Sequence, residues 1–499
     1  MTQTIAPPAE PAAPAVPSAP SAPAPAAPAP PVPSALSEPP TAGAAVTGSA
    51  IDELVARADR ARRAYDAFGQ EQVDAIVRDI GKYVYDNAAM LARLAVDETG
   101  IGVFEDKVAK NQGKARLIWN SLKDKKSRGV IGEEAVGNLV LVAKPVGIVG
   151  AVAPVTNPIV TPMCNAMFAL KTGNAIIFAP HPKAQACTIH LTGVFRAILR
   201  EHGAPEDLVQ VLPKVSIDAT QELMRAVDVV VATGGEAMVK AAYSSGKPSF
   251  GVGAGNVPVI LDEGIDVRAA TEMIVAGASF DNGIICSHEQ FVIVPAAMYD
   301  QTVAGFLATD RVWYCDDPQV IDRFRTALFP DGAFNRTLVG KSPSFIGVIA
   351  GVSIPPSVRV IVLKVAASGR DDILAREKLC PVVALMPCDS FEDALAAAEA
   401  NLFVEGAGHS AAIHSVDDEH VQEAALRLPV SRLVVNQPCA LTAGGSLTNG
   451  LAPTTTLGCG SWGGNSISEN LDYKHLMNVS RIGRAITDRV PPTDAQIWA

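Results

Sequence analysis

The eight cysteines of this 499-residue chain include no Cys-x-x-Cys pair, which argues against a zinc ribbon and a disulfide framework and leaves them as reduced thiols. No metal site is expected. The chain also lacks an uninterrupted apolar stretch of about 18 residues, the least that a membrane-spanning helix requires. Its start, Met1-Thr2-Gln3-Thr4-Ile5-Ala6-Pro7-Pro8, has neither the basic nor the apolar region of a secretory signal, so a cytoplasmic location is expected. An excess of positive charge is missing too. With 41 Lys and Arg against 52 Asp and Glu the net charge is −11, which offers no field to nucleic acid or an anionic membrane, although an anionic ligand can still bind in a locally positive pocket.

Hydrophobic residues make up 48% of the chain, enough at this length to bury a substantial core in two or three domains. Residues 1–45 stand apart: they are nearly all Ala, Pro and Ser and hold 14 of the 37 prolines. Such a stretch cannot form a packed core or a continuous helix and is expected to be a disordered, semi-extended tether. A tail without function and a spacer that ties the protein to an assembly are both compatible with it. Its first residues show no obvious pattern of a short amphipathic helix, the commonest kind of encapsulation signal. Order is expected from Ser49, whose hydroxyl can cap a helix with Asp52 three residues on, followed by Ile51, Leu54, Val55, Ala58 and Tyr65 at helical spacing.

From Leu139 the pattern changes. Strand candidates Leu139–Ala143, Ile148–Ala153, Ala175–Ala179, Leu208–Leu212, Val227–Ala232 and Val257–Leu261 alternate mainly with helix-length segments, one of which, Pro182–His202, stops at Gly203. A second series follows: Phe291–Val294, Arg359–Val365, Val382–Met386, Ala411–His414 and Leu433–Asn436. Continuous apolar strands between helices predict mostly parallel sheets covered on both faces, hence an α/β fold. Between the two series lies Ser279-Phe280-Asp281-Asn282-Gly283-Ile284-Ile285-Cys286-Ser287-His288-Glu289-Gln290. It sets Cys286 after a glycine turn and before strand-like Phe291–Val294, the placement of a nucleophile on a rigid base; the alternative is a buried small apolar residue.

Several segments carry a resemblance: Lys144-Pro145-Val146-Gly147-Ile148-Val149-Gly150, Ala153-Pro154-Val155-Thr156-Asn157-Pro158, Lys171-Thr172-Gly173-Asn174-Ala175, Cys286 with its neighbours, and Thr456-Leu457-Gly458-Cys459-Gly460-Ser461-Trp462-Gly463-Gly464-Asn465-Ser466. In this order, over roughly residues 50–485, the chain resembles the aldehyde dehydrogenase superfamily. Within it the likeness is to the CoA-acylating branch, which includes acetaldehyde and propionaldehyde dehydrogenases of bacterial microcompartments. The resemblance implies two α/β domains with Rossmann-like parallel sheets plus a β oligomerisation arm. Residues 46–128 and 149–258 would form the dinucleotide-binding domain, 259–474 the thiol-bearing catalytic domain, and 129–148 with 475–490 the arm, pairing across subunits in a homodimer or homotetramer.

The resemblance also assigns roles. Cys286 is the nucleophile, and Asn157 with the Cys286 N–H holds the oxyanion. Thr156, Pro180, His181, Thr233, Gly234, Gly235, Gly253 and Glu377 bind NAD, with Glu377 on the nicotinamide ribose. Thr233-Gly234-Gly235-Glu236 opens a helix after a strand, so its backbone N–H groups can face a phosphate. Two departures from the hydrolytic relatives stand out. Ala179-Pro180-His181-Pro182 lacks the ribose carboxylate, which leaves the choice of NAD over NADP open. In Gly251-Val252-Gly253-Ala254-Gly255-Asn256-Val257-Pro258 the water-activating glutamate of those relatives is replaced by Val252.

Water needs a positioned base, whereas a thiol with a pKa near 8.5 is already partly ionised at neutral pH. The expected activity is therefore oxidation of a short aldehyde, propionaldehyde or acetaldehyde, to its acyl-CoA, with NAD and coenzyme A as cofactors and ping-pong kinetics. The alternatives are an enzyme that releases the free acid and a non-catalytic scaffold. Association with a microcompartment shell or its cargo is expected from the tail and the family. His288, His409 and His414 carry no assigned role.

Overall fold

The computed structural model describes residues 49–134 and 138–499; the 1–45 tail lies outside the described residues. Order begins as expected. Ser49 Oγ accepts from the Asp52 N–H at 3.2 Å and the Asp52 carboxylate accepts from the Ser49 N–H at 3.0 Å, a capping box opening α1 (Ala50–Tyr65). Three more helices follow, α2 (Gln70–Asp86), α3 (Ala88–Thr99) and α4 (Phe104–Leu122). Their apolar faces pack with a five-stranded parallel sheet in one core.

Three sheets organise the rest. An antiparallel ribbon in the order β1-β2-β15 joins β1 (Val130–Glu134), β2 (Leu139–Pro145) and β15 (Met477–Gly483). The segments read as the arm thus pair within the chain, and no residue of these strands is buried. The second sheet is parallel, in the order β5-β4-β3-β6-β7, from β3 (Ile148–Val152), β4 (Ala175–Ala179), β5 (Val209–Val211), β6 (Val229–Thr233) and β7 (Ser249–Val252). Helices α5 (Val160–Lys171), α6 (Gln185–Glu201), α7 (Ile217–Ala226) and α8 (Glu236–Tyr243) connect its strands. β3, β4 and β6 are buried throughout, which is why they read as unbroken apolar runs.

The third sheet is parallel and has seven strands in the order β10-β11-β12-β9-β8-β13-β14. They are β8 (Val257–Leu261), β9 (Glu289–Pro295), β10 (Val312–Cys315), β11 (Val360–Lys364), β12 (Val382–Cys388), β13 (Gly408–His414) and β14 (Val430–Val435). This corrects the sequence reading at one point. Val257–Leu261, grouped with the first series and split by a boundary at 258, pairs with β9 and β13 and belongs wholly to the seven-stranded sheet. An apolar run states that a strand is buried, not which sheet buries it. β7 and β10 were not among the strand candidates; β7 is short and begins after a Gly-Lys-Pro turn.

Candidate active site

In the five-stranded sheet the chain moves outward from β3 to β5, then returns to β6 on the other side of β3. Such a reversal opens a crevice at the C-terminal ends of the strands. Thr156 and Asn157 follow β3, Pro180 and His181 follow β4, Thr233 ends β6 before Gly234 and Gly235, and Gly253 follows β7. Seven of the residues assigned to the cofactor therefore gather along one edge. Thr233 Oγ1 lies 3.0 Å from Thr456 Oγ1, and Gly235 caps α8 with open space where a Cβ would stand. His181 Nδ1 accepts from the Lys183 N–H at 3.1 Å.

The seven-stranded sheet presents its opposite edge. Gly253–Asn256 precedes β8, Cys286 precedes β9 and Glu377 precedes β12, and these three strands are neighbours. The loops are tightly joined. A Cβ on Gly255 would stand 1.7 Å from the Cys286 carbonyl oxygen, so only glycine fits there, and the Gly255 N–H donates to Glu377 Oε1 at 2.8 Å. Seven of the eight cysteines are buried and Cys286 alone is half-exposed, which singles out one thiol by access.

Cys286 and Asn157 line one cavity of about 380 Å³, walled by α4, the start of α5, Phe280–Ser287 and the 440–457 segment. A chain of polar groups orients the amide. Asp281 Oδ2 accepts from Lys110 Nζ at 2.5 Å and from Lys107 Nζ at 3.0 Å, and Lys110 Nζ donates to Asn157 Oδ1 at 2.7 Å. With its oxygen engaged by the ammonium, Asn157 keeps its NH₂ for other partners. Asp281 and Asn282 both have left-handed backbone, φ 52° and 54°. The strain is held by Asp281 Oδ1 accepting from the Val103 N–H at 2.7 Å and its own N–H donating to Asp106 at 2.9 Å. Burial alone would raise the Asp281 carboxyl; Lys110 and Lys107 outweigh it and hold the group below the usual carboxylate range.

A model of the aldehyde dehydrogenase family matches residues 33–336. The chain belongs to the aldehyde dehydrogenase family. It is 52% identical over 448 residues to an acetylating succinate-semialdehyde dehydrogenase of Clostridium kluyveri, covering 90% of this chain and 98% of that one. Among solved structures, an acetylating aldehyde dehydrogenase from Geobacillus thermoglucosidasius superposes with a TM-score of 0.85 at 34% identity, over 89% of this chain and 98% of that one. A propionaldehyde dehydrogenase of Rhodopseudomonas palustris, solved with bound CoA and an acylated cysteine, gives 0.78 at 29% identity over 87% and 97%. The expected fold is thereby borne out.

In this aldehyde dehydrogenase, burial pushes the Cys286 thiol up to about 12; Glu377 adds to the rise and Arg432 opposes it. Burial, with Glu405 adding, pushes the Glu377 carboxyl up to about 8. Arg432 escaped the sequence reading. It is buried on β14, donates to the Gly408, His409 and Gly458 carbonyls, Ser410 Oγ and Asn470 Oδ1, and has no carboxylate partner among the described residues. The available signal was a lone arginine inside apolar Val430–Val435. Lys107, Lys110 and Asp281 escaped it as well, since no local pattern joins positions more than 170 residues apart. The three unassigned histidines are buried and none lines the cavity; burial pushes His288 and His414 down to about 4 and His409 well below its usual range, leaving neutral rings.

Proposed function

We propose that this chain oxidises a short aldehyde to its acyl-CoA through a thioester on Cys286. The observation that carries the reading is the pairing of an accessible thiol with an apolar wall: Cys286 packs against a cluster that includes buried Val252, so the position of the hydrolytic base holds no ionisable group. Glu377, whose charge acts on the thiol, is the group assigned here to receive its proton, which it can do only once ionised, above about pH 8. The thiolate adds to the aldehyde carbon, and the new oxyanion is met by the Asn157 NH₂ and the Cys286 N–H. Collapse of that oxyanion to a carbonyl expels hydride with its electron pair and leaves the thioester. NAD, when bound, supplies the acceptor of that hydride. A CoA thiolate then adds to the thioester carbonyl and Cys286 departs as thiolate, so aldehyde, NAD⁺ and CoA yield acyl-CoA, NADH and a proton.

The edge formed by Thr156, Pro180, His181, Thr233, Gly234, Gly235 and Gly253 suits a dinucleotide because Gly235 leaves open space at the N-terminus of α8, where backbone N–H groups favour phosphate. Glu377 is the carboxylate assigned to the ribose in this reading. Without a carboxylate in 179–182, NADP is admitted beside NAD. Propionaldehyde and acetaldehyde are the small neutral candidates, while the 52% relative is named for succinate semialdehyde. Free-acid release has one observation in its favour, the Glu377 carboxyl acting on the same thiol. Assembly into a homodimer or homotetramer through the unburied ribbon belongs to the same proposal, since the apolar run 139–142 of its central strand β2 gains from a cover. Delivery to a microcompartment by the 1–45 tail is a separate part of it.

The test measures NADH formation and products across a short aldehyde series with and without CoA. One burst equivalent without CoA and stoichiometric acyl-CoA with it is expected. Sustained turnover to carboxylate in the absence of any thiol cosubstrate would overturn the reading.

A further inference from the structure

Two adjacent stripes of α4 face the cavity: Lys110, Lys114 and Leu117 on one, Ala109, Gly113 and Arg116 on the other. Among the described residues every charged member of the lining is basic, with no aspartate or glutamate. Lys110 is spoken for by Asp281. Lys114 and Arg116 are not. Lys114 Nζ donates to the Gly444 and Thr454 carbonyls at 2.8 and 3.1 Å, has no carboxylate partner among the described residues, and retains a third N–H. Arg116 is exposed at the wall and likewise makes no ion pair among the described residues.

The surroundings are shaped for this arrangement. A Cβ on Gly444 would stand 2.7 Å from Lys114 Nζ, so the loop carries glycine where the ammonium docks. Gly113, mid-helix at a cost of about 1 kcal/mol relative to alanine, would place a Cβ within 4 Å of nothing. Its missing side chain therefore leaves space beside the two cations and serves no packing contact. Thr455 Oγ1, on the same lining, is buried and among the described residues has no hydrogen-bond partner beyond the neighbouring Cys164 thiol. Burial pushes the Lys114 ammonium down to about 8, with the Cys164 and Cys286 thiols opposing, and an adjacent anion would restore its charge.

We infer that the aldehyde accepted here carries a carboxylate at the end remote from its carbonyl, held by Lys114 and Arg116 while Cys286 meets the carbonyl. The substrate class is a short ω-oxo acid. This rests on the proposed attack of Cys286 on an aldehyde, and two measurements separate the two claims. The first compares kcat/KM for CoA-dependent oxidation of succinate semialdehyde and butyraldehyde, matched in carbon number. The wild type is expected to favour the acid at least thirtyfold, and Lys114→Met and Arg116→Gln each to lower that ratio at least tenfold, chiefly through KM for the acid.

The second needs no turnover: alkylation of Cys286 by anionic iodoacetate relative to neutral iodoacetamide, each normalised to glutathione. A ratio above that of glutathione, reduced in Lys114→Met and in the surface variant Arg116→Gln, supports the cationic subsite even if neither aldehyde is oxidised. Equal or better use of butyraldehyde, together with an alkylation ratio no higher than that of glutathione, overturns it while leaving the acylating reaction standing.

Discussion

The two parallel sheets face the proposed site with opposite ends. The five-stranded sheet offers the C-terminal ends of β3, β4, β6 and β7, where strands turn toward helices through small residues and proline. The seven-stranded sheet offers the N-terminal ends of β8, β9 and β12, whose loops carry a thiol and buried carboxylates locked by short contacts such as Gly255 against Cys286. The first edge works with backbone N–H groups and helix dipoles, which tolerate changes of side chain and suit a ligand that must come and go. The second works with particular atoms, and displacing a reacting atom by about 1 Å is costly. Substitutions at the two edges should therefore differ in kind as well as in size.

The largest effect is expected at the second edge. Cys286→Ala should lower kcat by at least about 10⁴ in an aldehyde assay while urea unfolding stays within about 1 kcal/mol of wild type. Asp281→Asn should cost about 3–5 kcal/mol of stability in urea, because it leaves the Lys107 and Lys110 ammonium groups buried without their counter-charge. Asn157→Ala should reduce kcat by about 10²–10³, the loss typical of one oxyanion donor. A fall confined to KM would return Asn157 to the role of a turn residue.

The Glu377 carboxyl, pushed up to about 8, is protonated below that pH and can accept a proton only above it. Wild-type kcat/KM should rise with pH through about 8, and Glu377→Gln should flatten the profile and lower the rate at pH 9 by about 10²-fold. The smallest effect belongs to the first edge. Gly235→Val should raise KM for NAD by about tenfold, with kcat at saturating NAD within about twofold of wild type, because backbone donors at a helix N-terminus survive a change of side chain. A collapse of kcat in that variant would erase the distinction between the edges.

Much of this was legible in advance. The strands from Ile148 to Ala232 and, β10 (Val312–Cys315) apart, from Phe291 to Asn436 were visible because buried parallel strands are continuous apolar runs, and the Ser49 cap was visible because its partner lies three residues away. Cys286, Asn157 and Val252 were found by their neighbours in sequence. The strand Val257–Leu261 went to the wrong sheet because its pairing with Glu289–Ile293 and Ala412–His414 is a property of the fold. Arg432 and the Asp281 cluster were missed for a related reason: a buried charge is explained by its partners, and those lie in distant segments.

The amino-acid sequence by itself determined the alternation of strand and helix, the location of the thiol proposed as nucleophile after a glycine turn and the un-ionisable side chain at Val252, since periodicity and residue identity are local quantities. Tertiary structure alone decided which of eight thiols remains reachable, which strand ends share an edge, and that Lys110 turns the Asn157 amide while Lys114 and Arg116 stand without counter-charges among the described residues in the same cavity. Exposure, electrostatic pairing and cavity shape depend on atoms brought together from positions far apart in the chain.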